Sequence, residues 1–129
     1  MKNIFTHVQA IILAGGRGTR IKAIGKNKVM YEVSGKPMIS YSVSALKTLG
    51  IEKPIVVVGF SKESIQNYLK NTVEYALQVE AKGTADAVRS AMPLLKPDTS
   101  NIFVLYGDHT TFYTAEILHQ LFEVLSPLL

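Results

Sequence analysis

The chain has 129 residues, 47% of them hydrophobic, with a mean hydropathy of +0.18, which fits one domain able to bury roughly two thirds of the surface its unfolded form exposes. It contains no cysteine, which excludes disulfide and thiolate chemistry; no window approaches the roughly 18 uninterrupted apolar residues of a membrane span, and the N-terminus lacks the pattern of a signal peptide. The net charge of +4 and pI near 9.3 raise the question of nucleic acid, but the aromatic residues do not interleave with the basic ones as a single-strand stacking platform requires. Much of the excess charge lies between Arg17 and Lys28. The expectation is a cytosolic enzyme with a small anionic substrate, no nucleic acid partner and no membrane association. The three histidines, His7, His109 and His119, show no metal-ligand spacing.

In chain order, His7 or Val8 to Leu13 reads as a first strand, followed by a polar and basic loop from Ala14 to about Lys36 that is too long for a mere connection. Val29 to Val33 alternates enough for a small extended piece inside it. Pro37 suits a first helical position, and Met38, Ile39, Tyr41, Val43, Leu46 and Leu49 recur at helical spacing until Gly50 caps the end. The run from Ile55 to Gly59 is β-branched and nearly free of polar breaks, as a central parallel strand covered on both faces should be. Ser61 can cap a helix through Leu69 with Ile65, Tyr68 and Leu69 on its inner face. Val73 to Val79 predicts a third strand, and Thr84 can cap a helix from Ala85 to about Met92, with Asp86 an exposed first-turn acid favoured by the helix dipole. Asn101 or Ile102 to Tyr106 predicts a fourth strand, and Thr114 to Leu125 a last helix. Strands alternating with helices give an α/β, three-layer Rossmann-like sandwich with a mostly parallel sheet, expected in the order 3-2-1-4.

The segment from Ile11 to Lys36 carries the chemistry. An apolar run ending abruptly in Gly15, Gly16 and Gly18 delivers the backbone to a tight turn that a ligand can approach, and every charged residue from Arg17 to Lys28 is basic. A triphosphate suits both features. The plainer alternative, a turn that binds nothing beside a solvated basic loop, is outweighed by the two together. Two familiar phosphate motifs fail: the dinucleotide fingerprint lacks its third glycine after Gly16-Arg17-Gly18, and the P-loop pattern is broken by Met30 and Pro37 around Gly35-Lys36.

The residues resemble the sugar-1-phosphate nucleotidyltransferases, whose signature L-x-G-G-x-G-T-R, lysine in a K-V-M context and G-K-P-M are matched in order by Leu13 to Arg20, Lys28-Val29-Met30 and Gly35 to Met38. The likeness continues through Gln78, Gly83 to Ala87 and Tyr106-Gly107-Asp108, covers nearly the whole chain, and is strongest to N-acetylglucosamine-1-phosphate uridyltransferases. The resemblance implies transfer of a nucleotidyl group from an NTP, UTP foremost, to a sugar 1-phosphate such as N-acetylglucosamine 1-phosphate, with Mg2+ as cofactor. It implies that Leu13, Ala14, Gly15, Gly16, Gly18 and Thr19 enclose the nucleotide, with Gln78 on the base and Gly83 and Thr84 against base and ribose.

Ala14, Gln78 and Asp108 fall at the carboxyl ends of strands one, three and four, the rim where open parallel sheets bind ligands. Asp108 is the natural magnesium ligand or, more plainly, a turn-initiating residue. Arg20 and Lys28 are read as the catalytic cations on the phosphates, whereas Arg17, Lys22 and Lys26 are more simply solvated. Tyr106 is either core or a contact to the sugar. His109 and Thr110 depart from the apolar residue and proline that the family usually has there. Family members usually continue further and supply more strands, most of the sugar pocket and a second metal ligand, so the chain is expected to be a single domain, 1–129, incomplete at its C-terminus. That leaves a non-catalytic nucleotide-binding or regulatory module as the alternative to an enzyme, and an edge strand at 102–106 open to self-association.

Overall fold

The computed structural model describes residues 3–16, 27–59, 61–109 and 112–128. Four parallel strands form the sheet: β1 (Val8–Leu13), β4 (Ile55–Val58), β5 (Glu74–Leu77) and β6 (Asn101–Tyr106). Their order is β5-β4-β1-β6, which is 3-2-1-4 along the main sheet. The numbering is offset because β2 (Glu32–Val33) and β3 (Lys36–Pro37) pair into a separate antiparallel ribbon. The loop expected from Ala14 to Lys36 therefore carries more structure than anticipated, including a 3-10 turn at Lys28–Met30.

The register follows from burial. β1 is central, with Ile11 opposite Ile55 on one side and Val104 on the other, and alternate residues of the two central strands point to opposite faces. Ala10, Ile12, Val56 and Val58 join the larger core with Ile39 and Leu46 of α1 (Met38–Thr48), Ile65 and Leu69 of α2 (Lys62–Leu69), and Leu118 and Phe122 of α4 (Ala115–Leu125). Ile11, Ile55, Val57 and Ala76 meet Ala87 and Ala91 of α3 (Thr84–Ala91) on the other face. Small residues on α3, Ala87 and Ala91, let that helix lie close to the sheet.

Several element ends differ from the sequence expectation. Pro37 closes β3 and stands just before α1 instead of inside it. Ser61 sits at the start of α2 in a left-handed conformation (φ 53°) and makes no side-chain cap, while Ser64 Oγ donates back to the Ser61 carbonyl at 2.9 Å. Thr84 is the first residue of α3, with Gly83 before it, so its hydroxyl is released from capping. Tyr68 is exposed, whereas Ile65 and Leu69 are buried as expected. The third strand is shorter than Val73 to Val79, ending at Leu77. Thr114 caps α4 as anticipated, its side chain accepting from the Ile117 N–H at 3.2 Å. β6 pairs only with β1 among the described strands, and Ile102, Val104 and Tyr106 point outward from it.

A candidate nucleotide site at the carboxyl rim

The strand order reverses between β1 and β6, and backbone hydrogen bonds continue past the strand ends along the carboxyl rim of the sheet. Gly107 N–H donates to the Leu13 carbonyl at 3.0 Å, Ala14 N–H to Val57 at 2.9 Å, and Gln78 N–H to Val58 at 2.8 Å. Beyond these bonds opens a cleft of about 310 Å³, lined by Ala14, Gly15 and Gly16 on one side, Gln78, Gly83 and Thr84 on another, and Lys28, Tyr106 and Asp108 on the third. Leu13 also lines it. Of the residues singled out from sequence, Gly18, Thr19 and Arg20, like Arg17, Lys22, Lys26 and Thr110, lie outside the described residues. Leu13, Ala14, Gly15, Gly16, Lys28, Gln78, Gly83, Thr84, Tyr106 and Asp108, the remaining expected ligand contacts, all line this one cleft.

Gly15 is needed for proximity. A Cβ there would lie 2.9 Å from Oε1 of Gln78, so a larger residue would push that hydrogen-bonded amide away from the turn. Gly107 is needed likewise, since a Cβ would come within 2.9 Å of Val29 Cγ1 and 3.2 Å of the Leu13 carbonyl oxygen. Val29 is thereby seated on the corner that carries Asp108.

The turn at Lys28–Met30 is held by Asn27, which sequence reading passed over. Asn27 is 1% exposed; its Nδ2 donates to the Ala14 carbonyl at 2.7 Å and its Oδ1 accepts from Val29 N–H at 3.1 Å. One buried amide thus ties the end of β1 to the returning chain. An asparagine between two lysines offered no periodic or compositional signal for that role.

Lys28 Nζ then lies 2.7 Å from Asp108 Oδ2. Burial pushes the Asp108 carboxyl up, but the hydrogen bond from Lys28 and its charge outweigh burial, and the net position is below the ordinary value of 3.8. Asp108 is therefore ionised at neutral pH. Its side chain is 19% exposed, with His109 Nε2 at 3.7 Å from the same oxygen.

Across the cleft, Gln78 is 8% exposed and its Nε2 donates to Asp86 Oδ2 at 3.0 Å and to the Gly83 carbonyl at 3.2 Å. Asp86 stands in the first turn of α3 as expected, but it is a half-buried partner of Gln78 and not an exposed acid. The eight-residue separation of the pair hid the contact, because it exists only once β5 and α3 have packed. Tyr106 is exposed on the cleft wall and its hydroxyl meets Thr84 Oγ1 at 3.2 Å, so it is not core.

A parallel sheet with a glycine corner, a lysine–carboxylate pair and a buried amide at one rim has the makings of an α/β domain that handles a nucleotide. The model of the MobA-like NTP transferase domain matches residues 10–127, and the chain belongs to that family. Among curated proteins, the bifunctional protein GlmU of Exiguobacterium sibiricum is 43% identical over 114 residues, which is 88% of this chain and 25% of that protein. The chain thus spans about a quarter of the length of such relatives. Among solved structures, a putative glucose-1-phosphate thymidylyltransferase from Bacillus anthracis, solved with sucrose, superposes with a TM-score of 0.70 at 26% identity, covering 88% of this chain and 51% of that one. Rv0371c of Mycobacterium tuberculosis shares the fold, with a TM-score of 0.78 at 17% identity over 95% of this chain and 62% of that one; it has also been solved with manganese. The resemblance to sugar-1-phosphate nucleotidyltransferases and the expected fold class are both borne out.

Proposed function

We propose that the cleft binds UTP and N-acetylglucosamine 1-phosphate and transfers UMP to the sugar phosphate with release of pyrophosphate. The observation that carries this reading is the convergence of Lys28, Asp108 and Gln78 with the Gly15 corner in one cleft, which joins a cation, a hard anion and a base-sized amide. The overall identity to GlmU over 88% of the chain supports the choice of substrates.

The reaction forms a bond from a sugar-phosphate oxygen to the α-phosphorus of UTP and breaks the bond from that phosphorus to the oxygen bridging to the β-phosphate. Such a displacement needs in-line placement and charge stabilisation more than an acid or base. Lys28 supplies a point charge with three donors, enough to hold a phosphate oxygen while keeping Asp108. Arg20, outside the described residues, is assigned to the leaving phosphates. Gly15 and Gly16 let the backbone lie close to the nucleotide, Gln78 meets the base, and Gly83 and Thr84 meet base and ribose. Tyr106, joined to Thr84, faces the sugar.

Asp108 fits a magnesium ligand: it is ionised, sits on the cleft wall, and offers the hard oxygen that magnesium takes alongside substrate phosphates. Bound there, the ion would neutralise developing charge on the phosphates. Pyrophosphate release from UTP and N-acetylglucosamine 1-phosphate with Mg2+ tests the reading. Asp108→Ala is expected to lower the rate by roughly two orders of magnitude or more, and Arg20→Ala to weaken UTP binding about tenfold. Unchanged kinetics in both variants discards the assignment; tight UTP binding without pyrophosphate release favours a nucleotide-binding or regulatory module instead.

A further inference from the structure

The side-chain amide of Gln78 is fixed from behind. Its Nε2 carries two N–H bonds, and the two groups within reach are the Asp86 carboxylate at 3.0 Å and the Gly83 carbonyl at 3.2 Å. Both can only accept, so they dictate which end of the amide faces them. Oε1 is left to lie over Gly15 in the cleft wall, at the spot where a Cβ would meet it at 2.9 Å. Turning the amide around would break both hydrogen bonds and set Oε1 against a carboxylate and a carbonyl in a partly buried site.

We infer that Asp86 is a positioning residue that locks Gln78 as an acceptor, so that the cleft selects a pyrimidine presenting an imide N–H, as uracil and thymine do, and disfavours cytosine. The inference rests on the reading of this cleft as the nucleotide site. At the edge where uracil carries N3–H, cytosine carries a lone pair, and acceptor would face acceptor. Relief by flipping Gln78 is blocked by Asp86. Selection here comes as much from the repulsion of the wrong base as from attraction to the right one.

Titration of the wild-type chain, Asp86→Ala and Asp86→Asn with UTP and with CTP, in Mg2+, tests this. The wild type is expected to prefer UTP by tenfold or more. Asp86→Ala should reduce that ratio about tenfold, losing UTP affinity and gaining CTP affinity, because the amide is then free to turn. Asp86→Asn can donate as well as accept at the same place, so it should lower the ratio too, by less than Asp86→Ala because one of its rotamers still presents an acceptor. A ratio unchanged in Asp86→Ala overturns the inference while leaving the nucleotide site intact; binding of neither nucleotide to the wild type overturns both. Independently of any variant, the Gln78 side-chain amide protons in the wild type should exchange with solvent more slowly than those of exposed Gln120, and equal exchange rates contradict the lock.

Discussion

Gly15 and Gln78 show how one absent carbon shapes the cleft. The amide oxygen lies 2.9 Å from where a methyl group at position 15 would be, and the amide is held by two hydrogen bonds, so it yields less readily than a free side-chain tip. Gly15→Ala is expected to leave the fold intact while weakening UTP binding about tenfold or more through displacement of Gln78; wild-type affinity in a folded Gly15→Ala protein would contradict the placement of that amide. On the opposite wall, Lys28 holds Asp108 below its ordinary value against the upward push of burial. A carboxyl whose pKa is lower in the folded than in the unfolded chain contributes stability above its unfolded value, about 3.9, and loses it as the pH falls through the folded value. In metal-free protein, the melting temperature should therefore fall more steeply below about pH 4 for the wild type than for Asp108→Asn. Parallel curves would show that the Lys28–Asp108 pair contributes nothing to stability.

Among the elements, the turn at Lys28–Met30 matters as much as the strands. Asn27 pins it to the end of β1, and through Val29 on Gly107 it also fixes the corner that carries Asp108. Asn27→Ala would leave the buried Ala14 carbonyl without this donor, at a cost of about 1–3 kcal/mol, and should lower the melting temperature by several degrees; an unchanged transition would remove the clamp from the description. Elements whose signal is local were legible in the sequence: the β-branched run at Ile55–Val58, the helical spacing of Ile39 and Leu46, and the Thr114 cap of α4. What was not legible depends on tertiary contact. Thr84 looks like a cap, but Gly83 takes that place and the Thr84 hydroxyl turns to Tyr106 across the cleft. Tyr68 keeps helical spacing with Ile65, yet its ring is exposed while Ile65 and Leu69 form the buried face of α2. The Asn27 clamp and the Gln78–Asp86 pair join residues by packing that no periodicity encodes.

For the molecule as a whole, the strand order brings the separate motifs together. The chain passes from β1 to β4 and β5 on one side and then crosses to β6 on the other, so the carboxyl ends of β1 and β6 lie side by side at the point of reversal. The glycine corner, Lys28 and Asp108 lie just beyond those ends, and Gln78 reaches them from the end of β5 over Gly15. Among the described residues no helix is long and apolar enough to cross a membrane. Titration calorimetry of the wild-type chain with UTP in Mg2+, alongside Lys28→Ala and Gln78→Ala, tests most directly whether this rim is a nucleotide site. One saturable site, weakened about tenfold or more in each variant, is the predicted result. Absence of saturable binding in the wild type, or equal affinity in all three proteins, would contradict it.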